Sequence, residues 1–221
     1  MLEYQKNKKV LVLAAHPDDE ALGCGATLSK LSSEGYSIEV VTFTDGVTAR
    51  GDGLESRSKK LSIAGQILGA TSFTQGDFPD NKMDSVPMLD VVKFIESNTT
   101  GHYDLIFTHF PQDLNVDHQR VAYATITAFR PQFGRKSKIY SYYVPSATDY
   151  NCFSTFDANS YFEVSQHDVH LKIEALKVYG DEMREYPHSR SYDNVKNIMK
   201  SWGAEVGVEY AEKFKLVREV V

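Results

Sequence analysis

The apolar residues first gather at Val10-Leu11-Val12-Leu13-Ala14-Ala15, a run with no polar alternation. Such a run reads as a strand buried on both faces, the kind found inside a parallel sheet. This first strand is expected over Lys9 to Ala15. A helical pattern follows around Ala26-Thr27-Leu28-Ser29-Lys30-Leu31 and stops near Gly35, and a second strand spans Ser37 to Thr44. Asp45 to Gly53 is a loop with three glycines, and Glu55 to Leu68 is a helix with Leu61, Ala64, Ile67 and Leu68 on one face, stopped by Gly69. Further on, the pattern predicts a short strand at Thr71 to Thr74, a polar loop from Gln75 to Ser85 and a helix from Val86 to Ser97. A strand at Leu105 to Thr108 and a helix from His118 to Phe129, ending before Pro131, complete this part. Strands alternating with helices predict an α/β fold: a Rossmann-like, mostly parallel sheet with helices on both faces. Beyond Lys138 the pattern changes to strands at Ile139 to Val144 and Tyr161 to Val164, then helices at Asp168 to Val178 and Tyr192 to Ser201. No repeat or linker divides the chain, so residues 1–221 read as one domain whose last third walls the site.

The first strand runs straight into His16-Pro17-Asp18-Asp19-Glu20. Ligands bind at the carboxyl ends of strands in open α/β sheets, so this packet stands where chemistry is expected. Pro17 fixes its own φ and stiffens the exit, and the adjacent Asp18 and Asp19 then point in different directions. A second packet, His109-Phe110-Pro111-Gln112-Asp113-Leu114-Asn115-Val116-Asp117-His118, follows the strand at Leu105 to Thr108. His16, Asp19 and His118 together make a two-nitrogen, one-carboxylate set that suits Zn²⁺, with Fe²⁺, Mn²⁺ or Co²⁺ as alternatives. Asp18 is then the candidate general base for a metal-activated water, its plainer alternative being a helix cap.

Composition narrows the classes. A net charge of −6 argues against an extended nucleic-acid surface. No apolar stretch is long enough to span a bilayer, and Met1 to Lys9 lacks the apolar core of a signal peptide. Two cysteines, Cys24 and Cys152, form no disulfide framework, and a cytoplasmic location is expected.

Taken in order along the chain, several motifs resemble the LmbE-like (PIG-L) family of zinc-dependent enzymes that remove N-acetyl groups from amino sugars. They are Ala15-His16-Pro17-Asp18-Asp19-Glu20, Arg57, Leu68-Gly69, Thr108-His109, Asp113 to His118, Pro187-His188-Ser189-Arg190-Ser191 and Ala211-Glu212-Lys213-Phe214. The resemblance implies one Zn²⁺ per chain and a small amino-sugar or glycoconjugate substrate of the N-acetylglucosamine type. It also implies substrate-binding roles for Arg57 and Asp80. Many relatives carry a histidine where this chain has Asn115, and often Glu where it has Lys60. Stabilisation of the oxyanion is therefore expected from the late His188, with His109 as the second candidate and Asn115 as a hydrogen-bond donor only. Asp113 and Asp117 either orient a histidine or cap the helix, and Arg190 either holds a substrate anion or is structural. Relatives often form trimers or hexamers, so a homo-oligomer is expected. Two other classes stay open: a metal hydrolase of another amide or a phosphoester, and a non-catalytic sugar- or nucleotide-binding module. Against the module, no Gly-x-Gly-x-x-Gly follows the first strand.

Overall fold

The computed structural model describes residues 8–48, 58–134 and 136–221. Its strands are β1 (Lys9–Ala14), β2 (Ser37–Thr42), β3 (Ser72–Gln75), β4 (Leu105–His109), β5 (Lys138–Tyr142), β6 (Ser160–Glu163) and β7 (Ala211–Arg218). Its helices are α1 (Asp19–Ser33), α2 (Ser58–Ile67), α3 (Met88–Asn98), α4 (Val116–Ala128), α5 (Gln166–Val178) and α6 (Tyr192–Val206). All seven strands form one sheet in the order β3-β2-β1-β4-β5-β7-β6. The first five in that order are parallel, and β7 runs antiparallel to both β5 and β6.

The unbroken apolar run of β1 is explained by its central place. Val10 and Val12 face one layer with Ile38, Val40 and Phe107, while Leu11 and Leu13 face the other with Val41 and Ile106. Helices α1, α2, α5 and α6 cover the first face through Leu28, Leu61, Ile173 and Met199. Helices α3 and α4 cover the second through Val91, Ile95, Val121 and Ala124. Both faces are thus dry, as a parallel sheet requires.

Three features differ from the expected elements. The helix expected from His118 begins at Val116, because the Asn115 side chain accepts from the N–H groups of Asp117 and His118 and caps it there. The strand β7 was not among the expected elements. Its Lys213 and Lys215 alternate with Phe214 and Leu216, but the wholly buried Glu212 breaks the apolar pattern at its start. The last difference is in α1, which is kinked at Cys24 (φ −143°, ψ 15°). The expected loop Asp45 to Gly53 and the start of the expected Glu55 to Leu68 helix lie partly outside the described residues.

The kink exposes backbone groups that a continuous helix would pair, and buried charges satisfy them. Lys172 donates to the Leu22 carbonyl at 2.7 Å and to Glu212 at 2.6 Å. Glu212 accepts from the N–H groups of Ala26 and Thr27 at 3.2 and 2.7 Å. The bend also brings Gly23 against Tyr142, whose ring lies 2.3 Å from where a Cβ would stand, so no larger residue fits. Breaking a buried pair leaves an uncompensated charge, which typically costs about 3–5 kcal/mol. Glu212→Ala should therefore lower the unfolding free energy by about that amount in a denaturant titration. A loss below about 1 kcal/mol, the scale of an exposed pair, would show that Lys172 and Glu212 do not hold the kink.

Candidate metal centre and active site

Strand order reverses between β1 and β4, which opens a crevice at their carboxyl ends. The turn after β1 carries His16, Asp18 and Asp19, and the loop after β4 leads through Asp113 to the start of α4. The two distant sequence packets thus meet at the switch point.

Their meeting point is the Asp19 carboxylate. Its Oδ2 accepts from the His16 backbone N–H at 2.9 Å and lies 3.1 Å from His16 Nδ1, 3.3 Å from His118 Nε2 and 3.4 Å from His109 Nε2. One ligand atom from each of His16, Asp19 and His118 falls within a 4.8 Å group. Asp19 Oδ1 and His118 Nε2 are buried without a hydrogen-bond partner among the described residues. Buried polar atoms are rarely left unpaired, so these orphaned donors fit a divalent cation, and two imidazoles with one carboxylate form a zinc-type set.

The outer nitrogens of both rings face carboxylates. His16 Nε2 lies 3.1 Å from Asp117 Oδ2 and 3.3 Å from Asp80 Oδ1, and His118 Nδ1 lies 3.2 Å from Asp113 Oδ1. Burial opposes charge on both rings, but these carboxylates and Asp19 outweigh it. His118 is pushed up to about 9 and His16 well above its ordinary value. Asp117 also accepts from the N–H groups of Asn81 and Met83 at 2.7 and 3.0 Å, tying the loop after β3 to the site. Asp113 accepts from the Thr148 hydroxyl at 2.7 Å. Carboxylates placed this way orient metal-binding histidines and fix their tautomers.

Asp18 occupies the residue before α1 but makes no capping bond through its side chain. Its backbone is at φ 131°, ψ −26°, where non-glycine residues are rare and the strain is of order 1–3 kcal/mol. Its Oδ2 is 3.1 Å from Arg190 Nη1, and the same guanidinium donates through Nε to Ser146 Oγ at 2.7 Å and to the Pro145 carbonyl at 3.2 Å. A small cavity of about 60 Å³ is lined by His16, Asp18, Asp80, Asn115, His118 and Arg190 among others. It adjoins an outer cavity of about 320 Å³, with which it shares Asn115, Glu182 and Arg190.

Several residues sit differently from their expected roles. His109, the second candidate for stabilising the oxyanion, is wholly buried and lines neither cavity. It stacks on His118 at 3.9 Å, and its Nε2 accepts from the Ala15 N–H at 2.8 Å. Burial, together with the neighbouring His118 charge, lowers it to about 4, so it is a neutral packing partner beneath the site. Asp113 is wholly buried behind His118 and lines neither cavity, which fits the expected alternative of a carboxylate that orients a histidine. Asp117 is likewise wholly buried and faces His16, which matches the first of its two expected alternatives, orienting a histidine. Asn115 spends its Oδ1 on the α4 cap and donates its amide to Asn81 Oδ1 at 3.1 Å. Its amide nitrogen is therefore shared with the loop after β3. His188 lines the outer cavity. Its Nδ1 accepts from the Arg190 N–H at 3.0 Å, which leaves the neutral ring an Nε2–H donor. Arg57 lies outside the described residues. Glu182 and Asn81, which line the inner cavity, were not singled out in the sequence, for neither belongs to a packet at a strand end.

Comparison with known proteins supports the same assignment. The family model described as PIG-L, GlcNAc-PI de-N-acetylase, matches residues 11–129. A diacetylchitobiose deacetylase of Thermococcus kodakarensis is 24% identical over 95% of this chain and 83% of its own. An uncharacterized deacetylase of Escherichia coli, YaiS, is 28% identical over 78% of this chain and 90% of its own. An N,N'-diacetylchitobiose deacetylase of Pyrococcus horikoshii, solved with an inhibitor, superposes with a TM-score of 0.74 at 22% identity over 97% of this chain and 85% of its own, which shows a shared fold. With more than half its length matched by the family model, and both packets of its site inside the match, this chain belongs to the PIG-L (LmbE-like) family of de-N-acetylases.

Proposed function

We propose that the protein is a zinc-dependent N-deacetylase that hydrolyses the N-acetyl group of an amino sugar or GlcNAc-type glycoconjugate to a free amine and acetate. The carrying observation is the buried His16–Asp19–His118 group with Asp18 facing the same cavity. The relatives named as diacetylchitobiose deacetylases support an amino-sugar substrate. The inner cavity of about 60 Å³ suits a group as small as an acetyl amide. The outer one, about 320 Å³ and rich in polar lining, suits the sugar. Among the described residues no helix is long and apolar enough to cross a membrane, and a cytoplasmic location remains part of this proposal.

His16, Asp19 and His118 would hold the ion. When bound, it would supply Lewis acidity toward a carbonyl and acidify water. Asp18 takes the proton of the attacking water and returns it to the leaving nitrogen, a role that its contact with Arg190 orients. His188 donates its Nε2–H toward the developing oxyanion from the outer cavity. Asp80 accepts from sugar hydroxyls at the cavity wall, and Arg57 remains the candidate cation for the sugar.

The ion should be present at about one per chain by elemental analysis, and His118→Ala should lose it together with activity. The two rings hold protons in the metal-free protein at pH 7 because both are raised above their ordinary value. Metal uptake must displace those protons, so affinity should climb as pH rises from 7 toward about 9, the value to which His118 is raised. A pH-independent affinity, or full occupancy in His118→Ala, would contradict this ligand set. Asp18→Asn keeps size and polarity but not basicity. It should keep the metal and lose on the order of 10²-fold or more in kcat, and a near-normal rate removes Asp18 as the base. His188→Ala should lower kcat on the order of 10²-fold at unchanged metal content, whereas a change confined to KM would make His188 a binding residue.

A further inference from the structure

Asp18 is held in a backbone conformation that its own side chain does not favour. Its φ of 131° calls for an external restraint, and the Asp18 side chain accepts no capping bond that could supply one. One restraint is Glu20, whose Oε2 accepts the Asp18 N–H at 3.0 Å. Glu20 is wholly buried two residues away, and its Oε1 is bridged at 2.7 Å by the hydroxyl of Tyr179. Tyr179 is itself wholly buried and closes the C-terminal end of α5. That helix is fastened along α1 by two more polar contacts, Ser29 to Asp168 at 2.6 Å and Lys172 to the Leu22 carbonyl at 2.7 Å. Asp168, Lys172 and Tyr179 recur along one side of α5 at helical spacing, and of these Tyr179 is the one that reaches the turn bearing Asp18.

We propose that Tyr179, acting through Glu20, is a positioning residue that holds Asp18 in its working orientation beside the metal-binding group. The proposal rests on the reading of Asp18 as general base. A hydroxyl on a helix at the back of α1 would otherwise have no evident link to chemistry. The bridge holds in either charge state of Glu20. As a carboxylate, Glu20 accepts from both Tyr179 and the Asp18 N–H. As the acid, its Oε1–H donates to the Tyr179 oxygen while Oε2 still accepts the Asp18 N–H. A base displaced by a fraction of an ångström loses rate without losing substrate, because the contacts to sugar and metal come from other residues.

The test compares Tyr179→Phe, Glu20→Ala and Glu20→Gln in the metal-loaded protein, each also combined with Asp18→Asn. Tyr179→Phe keeps the ring and its packing, so the fold and the metal content should be retained. Its kcat should fall between about 10-fold and 10²-fold, with KM within about threefold of the parent. Glu20→Ala should do the same or worse. Glu20→Gln can still accept from the Asp18 N–H and donate to the Tyr179 oxygen, so it should stay within about threefold of the parent rate. In the Asp18→Asn background, Tyr179→Phe should add almost nothing, because the base it positions is already gone. An equal loss from Tyr179→Phe in both backgrounds would make Tyr179 a general structural residue and overturn the proposal. So would metal loss in Tyr179→Phe, or a Glu20→Gln as slow as Glu20→Ala. A near-normal rate in Asp18→Asn alone would instead overturn the base assignment, whatever Tyr179→Phe does. Should Tyr179→Phe fold poorly, the contrast between Glu20→Gln and Glu20→Ala decides the matter.

Discussion

A wholly buried carboxylate with three imidazoles around it is the constraint from which the rest of this structure follows. Asp19 is wholly buried, and burying an ionised group is costly unless partners replace its water. Its Oδ2 lies within 3.3 Å of His16 and His118, the nearby His109 Nε2 already accepts from the Ala15 N–H, and its Oδ1 has no hydrogen-bond partner among the described residues. That imbalance is what a divalent cation would resolve. The two rings toward the cavity are backed by their own carboxylates, Asp117 with Asp80 for His16 and Asp113 for His118. The third ring, His109, is kept neutral and used as packing. Charge is thus arranged in layers: carboxylates outermost, imidazoles next, and Asp19 at the centre.

The fold serves this arrangement by bringing two strand ends together. β1 and β4 are neighbours, and the sheet order reverses between them. The elements farther out hold the result in place. β5 contributes Tyr142, which donates to the Leu13 carbonyl at 2.9 Å and fills the space that Gly23 leaves. β7 contributes Glu212, and α5 contributes Lys172, to the kink that lets α1 leave the site. The C-terminal third, through Arg190 and His188, walls the cavity.

Much of this was legible in the sequence. The apolar run of β1 ends in His16-Pro17-Asp18-Asp19-Glu20, and a strand end bearing metal-liking groups announces itself without a structure. The second packet ends on His118 at the right distance along the chain to meet the first across a switch point. What the sequence hid was depth. Asp113 and Asp117 stood between orienting a histidine and capping the helix, and residue type does not decide between the two; their burial behind the rings of His118 and His16 does. His109 looked like a site residue because it stands at a strand end, yet all five residues of β4 are buried and it lies within the interior with them. β7 was missed because a buried ion pair, Lys172 with Glu212, puts charge where the pattern rules expect an apolar side chain. The role of Tyr179 was invisible for a similar reason: it depends on a bridge across 159 residues.

The layered charge around Asp19 is the seat of the proposed metal-dependent hydrolysis of an N-acetyl sugar. The most direct measurement is product analysis on N-acetylated mono- and disaccharides, with protein stripped of metal and protein reloaded with zinc. The account predicts acetate and free amine in equal amounts from the reloaded protein, and almost none from the stripped protein. It would be contradicted by a reloaded protein of full metal occupancy that binds these sugars yet releases no acetate, or by equal acetate release from the stripped form.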